Sequence, residues 1–181
     1  MKISYPFPLS DLEITLQRGM CYGSCPVYEL KILGTGEVIY QGRHFVKCVG
    51  EHRDRIEATD VFRLFEFAQE IGFFQMRDAY DGGPIYFLDE QGMVREDSMS
   101  VTDIPRHMVT IQIGDMKKQV IDYFGTPRRL RRFEQMIDRV CRSERWVGIG
   151  AERTESNETH DSEFQKQISK YLQAKDVPDD I

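Results

Sequence analysis

The chain has 181 residues, of which 40% are hydrophobic and 11% aromatic, and its formal net charge at pH 7 is −6. This size and composition are typical of one globular domain, and no apolar run approaches the roughly 18 residues that a membrane-spanning helix needs. The acidic balance disfavours nonspecific binding to nucleic acid or anionic lipid, which requires surplus Lys and Arg.

The amino-terminal sequence, MKISYPFPLSDLEITL, has prolines and acids where a secretory signal would have its apolar region. We therefore expect a cytoplasmic protein that does not associate with membranes. This expectation bears on the four cysteines, because reducing compartments disfavour structural disulfide bonds.

Alternating apolar and polar residues predict a strand at residues 12–16 and another at residues 28–32. The glycines of residues 34–36 predict a hairpin turn, after which a third strand runs from Val38 towards Cys48. From Thr59 the apolar positions recur at helical spacing. They predict a first core helix that ends at Gly72 and whose apolar face is widened by Phe62 and Phe67.

Residues 77–106 give mixed signals, with one short strand predicted at residues 85–88. Residues 109–113 and 119–124 then predict a second hairpin. Thr126, as N-cap, and Pro127 are typical of the start of a second core helix. Its predicted buried stripe consists of Leu130, Phe133, Ile137, Val140 and Cys141, and Trp146 is expected to seal the edge of the core.

Together these patterns predict a single α+β domain over residues 1–150, an antiparallel sheet of hairpins with two core helices packed on it. Residues 151–181 hold eight acids against four bases and few apolar groups. They predict an acidic, mobile tail with one short helical pattern through Phe164, Ile168 and Tyr171.

The segment CYGSCP, residues 21–26, permits three interpretations. Partners across a turn centred on Thr35 have residue numbers that sum to about 70, which places Cys25 and Cys48 at the same end of the sheet. With Cys21 and His52, they would form a C-x3-C-x22-C-x3-H donor set for zinc. A redox-active disulfide between Cys21 and Cys25 is the second interpretation, and a structural corner is the third.

Several motifs occur in a characteristic order: CYGSCPVY (21–28), the turn at 34–36, GFF (72–74), VTDIP (101–105) and ERW (144–146). Together they resemble a bacterial family of uncharacterised domains, known only as a domain of unknown function and marked by a C-x-G-[ST]-C-P opening. The resemblance covers roughly residues 11–148 and implies a small α+β module with no assigned reaction.

Members of that family often occur in exported or lipid-anchored proteins. The chain departs from this pattern in its amino-terminal sequence, which weakens the disulfide interpretation. Cys48 and His52 are not part of the family motif, which weakens the zinc interpretation.

The first turns of the second predicted helix carry four arginines: Arg128, Arg129, Arg131 and Arg132. Positive charge there opposes the helix dipole, which indicates either a solvated face or a bound anion. The anion would be a partner's acidic patch, the chain's own tail or, least favoured, a nucleic-acid phosphate.

We therefore predict a non-enzymatic protein-interaction domain with an unknown protein partner and no cofactor. The predicted partner-binding residues are the four arginines together with Tyr80, Asp81 and Asp103 of the irregular segment. The alternative is a thiol redox or zinc-binding protein that uses Cys21, Cys25, Cys48 and His52. A hydrolase built on the loop acids is a third hypothesis, although neither G-x-S-x-G nor H-E-x-x-H occurs.

Overall fold

A computed structural model of the chain describes residues 3–82, 84–98 and 104–153. The strands in these ranges are β1 (Leu12–Arg18), β2 (Val27–Leu33), β3 (Glu37–His44), β4 (Gly50–Arg55), β5 (Ala79–Asp81), β6 (Pro84–Leu88), β7 (Val94–Ser98), β8 (His107–Ile113) and β9 (Met116–Phe124). The α-helices are α1 (Ala58–Glu70), α2 (Arg128–Cys141) and the single turn α3 (Glu144–Val147). Of the predicted tail, residues 154–181 lie outside the described residues.

Seven of the strands form one sheet in the order β4-β3-β2-β1-β8-β9-β5. Neighbouring strands in it are antiparallel except for β5, which runs parallel to β9. Strands β6 and β7 form a separate antiparallel hairpin. The predicted α+β domain on an antiparallel sheet is therefore confirmed in its coarser form, a mixed α/β fold with a large, mostly antiparallel sheet and few helices.

The core lies on one face of the large sheet. Every second residue of the central strands points to this face, where Leu16, Leu30, Val109 and Val120 are fully buried. Helices α1 and α2 contribute buried side chains to the same cluster, and the rings of Phe67 and Phe133 join the two helices with centroids 6.1 Å apart. Trp146 of α3 stacks on Tyr40 of β3 at the edge of this core.

Three local predictions were wrong. The third strand does not continue to Cys48 but ends at His44, and an unpredicted strand, β4, returns beside it. Phe62 is 47% exposed, so it does not widen the buried face of α1. Pro127 is the N-cap residue of α2 in place of Thr126, whose hydroxyl has no hydrogen-bond partner among the residues that the structure describes.

None of the helices within the described ranges is both long enough and apolar enough to cross a membrane.

Candidate functional site

A row of polar side chains crosses four adjacent strands at one end of the sheet. Arg18 of β1 lies opposite Tyr28 of β2 on one side and opposite His107 of β8 on the other. His107 in turn lies opposite Asp122 of β9. These positions continue the alternation that buries the core. The neighbouring row consists of Leu16, Leu30, Val109 and Val120, so a polar row follows an apolar one on the same face.

Helix α2 covers this row and brings two carboxylates to Arg18. The Arg18 guanidinium donates from Nη1 to Glu134 Oε2 at 2.6 Å and from Nη2 to Asp138 Oδ2 at 2.7 Å. Asp138 also accepts hydrogen bonds from the hydroxyls of Tyr28 and Ser143, both at 2.7 Å. The Asp138 half of the cluster is thus fully hydrogen-bonded and ties α2 to β1 and β2.

The hydrogen bonding around Glu134 is less complete than that around Asp138. Glu134 is 2% exposed and lies within hydrogen-bonding reach of Asp122, which is 3% exposed. The Nε atom of Arg131 is 3.5 Å from Asp122 Oδ2. Four buried side-chain atoms have no hydrogen-bond partner in the described part of the chain: Tyr40 Oη, His107 Nδ1, Thr126 Oγ1 and Glu134 Oε1. Most buried polar atoms in proteins are paired, and two of these four exceptions, Glu134 Oε1 and His107 Nδ1, belong to this one cluster.

Burial perturbs both titratable groups. Burial raises the pKa of Glu134 to about 7, and the Asp122 carboxylate adds to this increase, while Arg18 opposes it. Burial lowers the pKa of His107 to about 4, and the positive charge of Arg18 adds to the decrease. At neutral pH the His107 imidazole is therefore uncharged, whereas the Glu134 carboxyl changes between its neutral and its charged form near pH 7.

These groups surround an open pocket of about 350 Å³. We call it the polar pocket; its polar wall consists of Arg18, His107, Asp122, Tyr123, Arg131 and Glu134. Ile104 and Pro105 form an apolar side. The pocket combines a guanidinium at its wall with a carboxyl and a neutral imidazole, groups that hydrogen-bond ligands and transfer protons.

Sequence reasoning missed this site, although one signal was present. Glu134 falls inside the apolar stripe of α2, four residues after Leu130 and three before Ile137, and all three are buried. A carboxyl group at a buried position needs a partner or a raised pKa. An acid within an apolar stripe is therefore a usable sign of a buried polar cluster.

The family comparison matches residues 12–141 to the domain of unknown function DUF6438. The chain belongs to the DUF6438 family. The prediction that the chain belongs to a domain of unknown function is thus confirmed, over nearly the expected range, while the C-x-G-[ST]-C-P opening as the family's mark and the bacterial origin stay predictions. Arg18, His107, Asp122 and Glu134 all lie within the DUF6438 match. No curated protein matches the chain, so the function of this DUF6438 domain has to be inferred from its site.

CYGSCP forms the loop between the two strands that carry Arg18 and Tyr28. Cys21 and Cys25 are joined by a disulfide bond, with their Cα atoms 5.7 Å apart. Arg18 and Tyr28 are carried by the two strands that this loop joins, and both bind Asp138. The loop therefore lies next to the Asp138 side of the site. The predicted cytoplasmic location stays a prediction, and a disulfide bond does not favour it.

The structure does not assemble the predicted zinc ligands. The β2–β3 register follows the predicted sum, since Leu30 lies opposite Tyr40. However, β3 ends before Cys48, whose backbone N–H binds the carbonyl of Trp146 at 2.8 Å. His52 stacks on the Trp146 ring. The described residues contain no group of three or more His, Cys, Asp or Glu side chains that could hold a metal ion.

The predicted partner-binding residues are dispersed. Arg131 lines the polar pocket, whereas the other three arginines, Arg128, Arg129 and Arg132, are exposed on the first turns of α2. Tyr80 is buried in the core, with the guanidinium of Arg77 4.6 Å from its ring centroid, so its ring offers little surface to a partner. Asp81 is exposed, and Asp103 lies outside the described residues.

Replacing both Cys21 and Cys25 by Ser is expected to lower the free energy of unfolding by roughly 2 kcal/mol, because the bridge closes a short loop and restricts the unfolded chain. Urea denaturation measures this loss. The matched control is Cys48→Ser, because Cys48 is half-buried and forms no disulfide bond. An equal loss in the control, or none in the double variant, would show that the bridge does not stabilise the fold.

Proposed function

We propose that this DUF6438 domain binds a small polar molecule in the polar pocket. The observation that carries the proposal is the pair of buried atoms, Glu134 Oε1 and His107 Nδ1, that lack a partner among the described residues. Leaving a buried polar group unpaired costs about 1–3 kcal/mol. A ligand that reaches either atom, through a small rotation of its side chain towards the pocket, would remove this cost.

The contrast between the two halves of the cluster supports a binding role for one of them. Asp138 is bound by Arg18, Tyr28 and Ser143, as expected of a structural cluster. Glu134 and His107 instead line an open pocket, and each has one buried atom with no hydrogen-bond partner among the described residues. The raised pKa of Glu134 adds to this contrast, since perturbed pKa values concentrate at functional sites.

A calorimetric screen of small polar compounds against the full chain tests the proposal. A compound that binds the wild type is expected to bind Glu134→Gln and Arg131→Met at least tenfold more weakly, since each variant alters one wall of the pocket. The matched control is Arg139→Met, because Arg139 is an exposed arginine of α2 outside the pocket. Equal binding to all four proteins, or no binding compound at all, would refute the proposal.

A protein-interaction domain is the second candidate function. Its supporting observation is the β6–β7 hairpin within the irregular segment, which exposes three apolar side chains: Leu88, Met93 and Val94. Exposed apolar groups of this kind are typical of interaction surfaces. The partner would be a protein with a complementary apolar surface.

Photo-crosslinking in the native cell tests this candidate. A crosslinker at Met93 is expected to capture a defined protein that a crosslinker at Glu66, an exposed position on α1, does not capture. The same captured proteins from both positions, or none from Met93, would argue against a partner at the hairpin.

The thiol redox alternative stays a prediction. A reactive thiol needs a nearby positive charge to lower its pKa, and Arg18 is the nearest such residue in sequence. In the structure, the guanidinium of Arg18 binds Glu134 and Asp138 instead. This arrangement does not favour thiolate activation.

A further inference from the structure

Resting on the proposed function, we infer that the ligand of the polar pocket is a short carboxylic acid with a hydroxyl or amino group beside its carboxylate. Some groups of the pocket are already bound to neighbouring side chains, and the others remain available to a ligand.

The pocket's available positive charge is Arg131. Arg18 also lines the pocket, but both of its terminal nitrogens are bound to carboxylates of α2. Arg131 is 54% exposed, and its Nε atom lies 3.5 Å from Asp122, beyond the usual range of a hydrogen bond. Its guanidinium can therefore bind a carboxylate at the mouth of the pocket, in the two-bond geometry that this pair favours.

The buried part of the pocket wall suits a hydrogen-bond donor. Glu134 Oε2 accepts from Arg18, while Glu134 Oε1 and His107 Nδ1 are unpartnered among the described residues. A second anion would be repelled here, because Asp122 lies beside Glu134. An ammonium would donate to Glu134, and a hydroxyl would donate to Glu134 and also bond to the imidazole. The carboxylate of the ligand would therefore point outward and its donor inward.

The size of the pocket limits the ligand. A volume of about 350 Å³ is at the lower end of the range for ligand pockets, roughly 300–1,000 Å³. The wall also has an apolar side at Ile104 and Pro105, which suits a short aliphatic group. A short hydroxy or amino acid satisfies the positive mouth, the acceptor in the buried part of the wall and the apolar side together.

Four matched probes test this inference by NMR titration of the full chain. L-lactate and L-alanine carry both functional groups, propionate lacks the donor, and isopropylamine lacks the carboxylate. At least one of the first two is expected to bind tenfold more tightly than either single-function probe. Arg131→Met should remove the preference over isopropylamine, and Glu134→Gln the preference over propionate, whereas Arg139→Met should change neither.

If L-lactate and L-alanine bind no better than the single-function probes, the inferred ligand class is wrong. That result is distinguishable from failure of the proposed function. A neutral or cationic compound that binds the wild type and loses affinity in Glu134→Gln would keep the pocket as a binding site while overturning its ligand class. Circular dichroism of each variant confirms that a lost preference does not reflect unfolding.

Discussion

Replacing Arg18 by methionine is expected to lower the free energy of unfolding by about 3–5 kcal/mol, as when one partner of a buried ion pair is removed. The Arg18 guanidinium binds Glu134 at 2.6 Å and Asp138 at 2.7 Å, and it is mostly shielded from solvent. Without it, Asp138 loses its cation, and Glu134, whose pKa Arg18 holds down, has to stay charged while buried or take up a proton. Methionine keeps the length and apolar character of the stem, so the loss reports the missing charge. Urea denaturation at pH 7.5 measures it.

The matched control for this substitution is Arg139→Met on the exposed side of α2, where we expect a change within about 0.5 kcal/mol. The loss caused by Arg18→Met should be smaller at pH 5, because Glu134 then takes up a proton and becomes neutral. A loss below about 1 kcal/mol at pH 7.5 would mean that the cluster does not stabilise the fold as described.

Glu134→Gln is expected to change how stability depends on pH. The pKa of Glu134 is about 7 in the folded protein, against an ordinary value of 4.5. Between these values the folded state holds a proton that the unfolded state releases, so the contribution of Glu134 is full below pH 4.5 and is lost as the pH rises through 7. Relative to Glu134→Gln, the wild type should lose roughly 3 kcal/mol over this window, at about 1.36 kcal/mol for each pKa unit.

Urea unfolding of both proteins at several pH values between 4.5 and 8 measures this difference. His107 has the opposite effect, because its lowered pKa makes the folded protein lose stability as the pH falls from 6.5 towards 4. That effect is common to both proteins and cancels in the comparison. The exposed Glu66→Gln serves as a control whose difference from the wild type should not vary with pH. If the free energy of unfolding of the wild type relative to Glu134→Gln stayed constant or rose with pH, the raised pKa of a buried Glu134 would be contradicted.

Much of the fold could be predicted from the sequence because its elements carry local periodicity. β1, β2 and α1 have clear apolar patterns, and each occurs where its pattern predicted it. β4 has no such pattern, since it is an edge strand whose alternate residues are half-buried and exposed. It pairs with β3 across the short connection of residues 45–49, but its sequence, GEHRDR, lacks the apolar alternation that predicts a strand.

The site was less predictable, because it is assembled by register rather than by a local motif. Arg18, His107 and Asp122 are distant in sequence and become neighbours only through the pairing of β1, β8 and β9. The zinc hypothesis assumed the correct β2–β3 register, but it extended β3 to Cys48, whereas the strand ends at His44. The chain leaves the sheet at Phe45, which has a positive φ of 51°, and backbone bonds to the α3 region hold Cys48.

The most direct test of a ligand site in the polar pocket is NMR of the histidine side chains during titration with a compound that binds. The chain has four histidines, His44, His52, His107 and His160, and among them His107 lines the pocket. We predict that the compound shifts the imidazole resonances of His107, leaves those of the other three unchanged, and loses this effect in Glu134→Gln. Binding that leaves His107 unchanged would contradict the assignment of the polar pocket as the functional site.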